Sequence, residues 1–235
     1  MTDTNDTPTQ ANAKVAIVAA AGPGVGLAVA KRFAREGFAV ALIARRPEAL
    51  DAMVAEIAAA GGAARGYAAD VTDPSALRAA LAAAAAEIGA PSVLVWNGGR
   101  WIETPALALD PAELEVDLRL TTVGALTAVQ AVTPAMAAAG GGTILVTGGG
   151  LALAPQYGGA VSALTAGKAA ARALVLAAAP ELAAQGVHLA TVTIAGQVAP
   201  GGAFDPDRIA EAFWSLHAEP RGALSVERIY DGENA

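Results

Sequence analysis

Short apolar runs alternate with longer stretches of helical period along almost the whole chain. Residues 15–19, Val-Ala-Ile-Val-Ala, form an apolar run that ends in a glycine-rich turn. Positions 25–36 carry apolar residues at helical spacing and stop at Gly37, which ends helices because it takes left-handed backbone without a steric cost. A second apolar run at 38–44 precedes a helix over 47–60, closed by Gly61-Gly62. The third strand is read at 65–69, after which Asp73 can cap a helix that has Pro74 at its first position. Further strands are expected at 92–96, 143–147, 187–194 and 224–229, with helices over 110–138, 161–185 and 206–217. The runs are unbroken rather than alternating, as in strands buried on both faces. Strands of that kind alternating with helices predict an α/β fold, a doubly wound parallel sheet of about seven strands with helices on both faces.

A length of 235 residues suits one such domain over 14–235, with the polar, Pro-containing segment 1–13 expected as a disordered tail. Hydrophobic residues make up 54% and aromatics only 4%, so alanine dominates the apolar content and favours close helix–sheet contact. The net charge of −7 argues against a nucleic-acid surface, which needs clustered Lys and Arg. With no Cys, the chain has no disulfide, thiolate nucleophile or Cys metal site, which fits a reducing cytoplasm. The N-terminus lacks a basic segment followed by an apolar one, and no apolar run has the character of a membrane span, so no membrane partner is expected. His188 and His217 pair with no carboxylate at a metal spacing and are expected to be structural, so no metal is predicted.

The first strand runs through Ala19-Ala-Ala-Gly22-Pro23-Gly24-Val25-Gly26 straight into a helix. Such a turn brings backbone N–H groups and the positive end of a helix toward a pyrophosphate, where a Cβ would block the approach. At the end of the second strand, where an acidic residue would accept from the ribose of NAD, stand Ala44, Arg45 and Arg46. Two guanidiniums there suit a 2′-phosphate and favour NADP over NAD, the alternative being solvated arginines at a strand end.

These features extend into a resemblance to the short-chain dehydrogenase/reductase family, and hence to a Rossmann-type fold, over about 14–232. The glycine loop is similar to the family's, with Ala20 in place of its first Gly, and Asp70-Val71 resembles the pair that contacts the adenine. Trp96-Asn97-Gly98-Gly99 falls on the family's Asn-Asn-Ala-Gly motif. The run 144–150 takes the place of the strand ending in the catalytic Ser, and Leu164-Thr-Ala-Gly-Lys168 takes that of Tyr-x-x-x-Lys. The resemblance implies that Tyr donates a proton to the carbonyl oxygen while hydride leaves the nicotinamide. Lys holds the ribose and lowers the Tyr pKa, and Ser and a helix Asn complete the set.

Carried over residue by residue, only Lys168 survives. Leu164 stands for Tyr, the Gly148–Gly150 run for Ser, and Thr121 for Asn. The cofactor-binding set implied is therefore Gly22, Pro23, Gly24, Val25, Gly26, Arg45, Arg46, Asp70, Val71, Asn97, Gly98 and Lys168. Tyr157, in the loop before the helix of Lys168, is the candidate substitute acid, against the alternative of a surface tyrosine. Trp96 and Trp101 are read as pocket lining or core. Segment 196–205 is short for a substrate lid. The expected function is an NADP(H)-dependent oxidoreductase with a non-standard active site, acting on a small molecule as a homodimer or homotetramer through its long Ala-rich helices. A catalytically degenerate dinucleotide-binding or regulatory protein, or a non-redox enzyme on the same scaffold, stays open beside it.

Overall fold

The computed structural model describes residues 14–233, so the expected tail at 1–13 lies outside the described residues. Seven strands form one parallel sheet: β1 (Val15–Ala19), β2 (Ala39–Ala44), β3 (Ala63–Ala68), β4 (Val93–Trp96), β5 (Gly142–Gly149), β6 (Val187–Ile194) and β7 (Glu227–Tyr230). Their order is β3-β2-β1-β4-β5-β6-β7. The direction of winding reverses between β1 and β4, and the carboxyl ends of strands at such a point form the ligand crevice of open α/β sheets. Ala19 is in register with both Ile43 of β2 and Trp96 of β4, so the loops leaving these three strands emerge at one level.

Alternate residues of each strand feed two cores. Ala16 and Val18 pack toward α1 (Val25–Arg35), α2 (Pro47–Ala59) and α7 (Pro206–His217). Ile17 and Ala19 pack toward α3 (Pro74–Ile88), α5 (Gly124–Ala138) and α6 (Ser162–Ala183). The remaining helix, α4 (Pro111–Leu118), precedes α5. Asp73, Asp110 and Asp205 each accept a hydrogen bond from a first-turn N–H of α3, α4 and α7, with Pro at the following position in every case.

The third strand runs Ala63–Ala68 and not 65–69, and two further expectations need correction. The strand expected at 224–229 runs Glu227–Tyr230; it enters the sheet where Thr191 N–H donates to Val226 O, and the Arg172 guanidinium grips Glu227 with bonds of 2.8 and 2.6 Å. The continuous helix expected over 110–138 is two helices joined by a π turn, Arg119–Val123, in which Gly124 N–H reaches back five residues to Arg119 O. Here the Thr121 hydroxyl donates to Asp117 O at 2.6 Å, and α6 approaches so closely at Gly167 that a Cβ would lie 2.5 Å from Thr121 Oγ1. Of the two readings open for Trp96, the structure gives core: it is 1% exposed, and its indole occupies the space left by the missing side chain of Gly124. The 111–138 segment is long and apolar enough to cross a membrane, but Ala125, Ala128, Val132 and Met136 are buried in the fold.

His217 ends α7 within an aromatic cluster of Phe33, Phe38 and Trp214, its Nδ1 3.0 Å from Thr143 Oγ1. Burial, with smaller contributions from the charges of Lys14 and His188, pulls its pKa down to about 4. A histidine kept neutral in the fold binds fewer protons than it does unfolded, so its contribution is intact above about pH 6.5 and is lost as pH falls toward 4. At about 1.4 kcal/mol per pH unit, reduced because the ring is partly solvated, this costs roughly 1–2 kcal/mol. Urea midpoints should therefore fall between pH 6.5 and 4 by less in His217→Gln than in the wild type; equal falls would place the acid sensitivity elsewhere.

Candidate active site

The glycine loop leaves β1 through Ala20, whose φ of +55° is left-handed and lies where the resemblance places a glycine. The segment then turns into α1, whose N-cap Gly24 supplies no side-chain cap for the first-turn N–H groups. A Cβ built at Gly22 or Gly24 meets no atom within 4 Å, whereas at Gly26 it would lie 3.0 Å from Asn97 Nδ2 and 3.3 Å from Ala21 Cα. Gly22 and Gly24 thus border open space, and Gly26 permits close packing of the helix against the β4 end.

Asn97 ties this loop to the middle of the sheet. Its Nδ2 donates to Ala20 O at 3.3 Å and its Oδ1 accepts from the Thr147 hydroxyl at 2.9 Å. Lys168, reaching across from α6, donates from Nζ to Thr147 O at 2.6 Å and to Gly98 O at 2.9 Å. Its stem runs past Gly99 and Gly149, where a Cβ would lie 3.2 and 3.4 Å from it. Lys168 is therefore an inward-facing, buried cation, and burial lowers its pKa to about 8.

Two cavities meet at the loop. One, of about 400 Å³, lies beside Gly22 and Pro23 and is lined by Arg45, Arg46 and Val71. The other, of about 560 Å³, is lined by Gly22, Val25, Leu164, Lys168 and the glycines 148–150. Both share Gly22, Asn97, Gly99 and Arg100. Asp70 uses its Oδ1 to accept from the N–H and hydroxyl of Thr72, bonds that hold its pKa below the usual carboxylate range, with the charge of Arg45 adding to the effect.

The structure brings most of the expected residues to this cleft, but not Tyr157. That residue is 80% exposed on a short 3₁₀ turn, Pro155–Tyr157, and lines a third cavity of about 440 Å³ further out, not the one holding Lys168. Thr121 likewise spends its hydroxyl on Asp117 O inside the π turn, away from any relay.

Sequence reasoning missed Arg100. Its Nε donates to Asp117 Oδ1 at 2.8 Å and its Nη2 to Glu113 Oε2 at 2.6 Å, while its side chain borders both cofactor-sized cavities. The signal was present: Arg100 directly follows the Asn97-Gly98-Gly99 motif, and Glu113 and Asp117 stand four apart on one helix face.

Comparison with known proteins agrees with this geometry. The family described as short chain dehydrogenase matches residues 14–202. The chain is 36% identical over 132 residues to D-threitol dehydrogenase of Mycolicibacterium smegmatis, covering 56% of this chain and about half, 51%, of that relative. It is 37% identical over 178 residues to galactitol 2-dehydrogenase (L-tagatose-forming) of Cereibacter sphaeroides, covering 74% of this chain and 67% of the relative. Among solved structures, a metagenomic short-chain oxidoreductase in complex with NADP superposes with a TM-score of 0.82 at 32% identity, over 92% of this chain and 95% of that one. The chain belongs to the short-chain dehydrogenase family.

Proposed function

We propose that the chain is an NADP(H)-dependent oxidoreductase with a non-standard active site, acting on a small-molecule substrate. One observation carries this reading: the uncapped helix start and glycine loop lie where a cavity bordered by Arg45 and Arg46 joins one bordered by Lys168. The residues fit a dinucleotide. Gly22 and Gly24 border open space instead of packing, and among the described residues no carboxylate pairs with the buried Lys168. In this reading Gly22 to Gly26 receive the pyrophosphate, Val71 and Asp70 border the adenine, and Arg45 and Arg46 take the 2′-phosphate. The Gly98 and Thr147 carbonyls hold Lys168 in place for the ribose at the far end, and Asn97 braces Thr147 through its hydroxyl. Bound there, the reduced nicotinamide supplies a hydride.

Leu164 has no proton to give, so Lys168 is the residue of the inner cavity that titrates near neutrality, and its ammonium is the available acid. The NADP complex of a similar structure supports the choice of cofactor. The polyol names of two relatives do not decide the substrate, since the outer cavity offers few groups to meet hydroxyls. A homodimer or homotetramer belongs to the same proposal, through an outer helical face exposing Val116, Val123, Leu126 and Leu176. The loss of Tyr at 164 also favours a second reading, a protein that binds the dinucleotide without turnover.

The test is titration with NADPH and NADH by calorimetry. Arg45→Ala should weaken NADPH about 10- to 100-fold, the size of one charge-assisted phosphate contact, and leave NADH little changed. Equal loss for both nucleotides would remove Arg45 from the 2′-phosphate site, and no binding of either at millimolar concentration would end the dinucleotide reading. Binding without turnover on any carbonyl compound would favour the second reading.

A further inference from the structure

The outer cavity is continuous with the one that holds Lys168: both are lined by Trp101, Leu151, Ile194 and Gln197. Its own remaining wall adds Leu153 and Tyr157, and among the described residues no charged one lines it. The volume of about 440 Å³ is in the range of small-molecule sites. Two aromatic side chains stand at its rim with most of their surface open, Trp101 at 63% and Tyr157 at 80% exposed, and Leu153 and Val198 are part-exposed beside them. Large apolar side chains left open around a concavity mark a surface meant to be covered.

We infer that this outer cavity is the substrate site, and that it takes an uncharged, flat, largely apolar carbonyl compound of about two fused rings rather than a polyol or a charged metabolite. The inference rests on the reading that the inner cavity takes the nicotinamide end of the cofactor. Polar capacity decides the substrate class. The side chains of the outer cavity that can hydrogen-bond are Gln197, Tyr157 and the indole N–H of Trp101, and that N–H leans toward Glu103 at 3.4 Å. A polyol carries a hydroxyl on every carbon, each of which would give up water on entry, and too few partners exist to replace it. A carboxylate or phosphate would find no cation here. Arg100, the nearest guanidinium, belongs to the inner cavities and is already engaged by Asp117 and Glu113. A ring system, by contrast, loses no hydrogen bonds and gains contact with Trp101, Leu151, Leu153 and Ile194. Its single oxygen would lie at the inner end, toward Lys168.

The experiment is calorimetric binding of 2-tetralone and of sorbitol to the full chain, with and without saturating NADP⁺, after NADPH binding has been measured on the same samples. The ketone should bind and sorbitol should not, and Trp101→Ala should raise the ketone Kd at least 10-fold, by more than it changes the NADPH affinity. Trp101→Phe, which keeps a flat ring, should restore most of the loss. Sorbitol binding with no ketone binding at its solubility limit would overturn the inference, as would ketone binding that is indifferent to Trp101→Ala. Absence of NADPH binding with the ketone still bound in a Trp101-dependent way would instead overturn the cofactor reading and keep the assignment of the cavity.

Discussion

Leu164→Tyr should raise the NADPH-dependent reduction of an apolar ketone such as 2-tetralone at least 100-fold. Leu164 and Lys168 are one helical turn apart on α6 and line the same cavity. A phenol at 164 would therefore stand beside an ammonium, which lowers its pKa toward the working range. A positioned general acid contributes about 10²- to 10⁴-fold in rate, and with glycines still at 148–150 the lower part of that range is the expectation. Room exists, because Gly99 opposite Leu164 Cδ1 carries no side chain. Leu164→Phe fills the same volume without a hydroxyl and should leave the rate where it was. Equal gains in the Tyr and Phe variants would mean that shape, not a missing acid, limits the wild-type chain.

Arg100→Ala should cost about 2–4 kcal/mol of folding stability, read from urea unfolding at pH 7. The Asp117 carboxylate it pairs with is only 3% exposed, so the variant strands a charge in the interior. Breaking a buried pair from one side costs about 3–5 kcal/mol, and solvent reaching the site of a 30% exposed arginine trims that figure. The exposed pair with Glu113 adds little. Adding Asp117→Asn to Arg100→Ala should recover most of the loss, since the stranded charge is then gone. A loss under about 0.5 kcal/mol in the single variant would show that water already solvates Asp117.

The layered sheet was legible because its strands are continuous apolar runs and its turns are marked by Gly, Asp and Pro. The limits of β6 and α7 agree with the expectation at both ends. Edge elements were read less well. For β3 and β7 the apolar pattern is diluted on the open side, and what sets their ends is a partner strand or an ion pair such as Arg172–Glu227, which no local pattern records. In the site, the glycine loop, Arg45, Asn97 and Lys168, singled out because the expected chemistry needs particular residues at particular strand ends, come to one cleft. Tyr157 lines the outer cavity and not the one lined by Lys168, a distinction that a position in a loop does not reveal. Arg100 was missed because its partners lie 13 and 17 residues away, across the turn into α4. Trp96 was ambiguous in sequence, and only Gly124, 28 positions on, reveals the slot that takes its indole.

The π turn at Arg119–Val123 makes the length of this helical segment a constraint separate from its composition. Such a turn holds one residue more than an ordinary one, and an α-helix advances about 100° per residue. Deleting one residue of the turn would close it to an ordinary turn with the flanking helices still in phase, whereas deleting one from the first turns of α5 would swing everything before it by about that angle. After such a deletion in α5, Asp117 would leave the line to Arg100, Thr121 would leave its place against Gly167, and the face of α4 would turn with them. The π turn is thus the one stretch of the segment where a residue can be lost within a single turn, and a deletion elsewhere in it would have to be answered by both neighbouring elements at once.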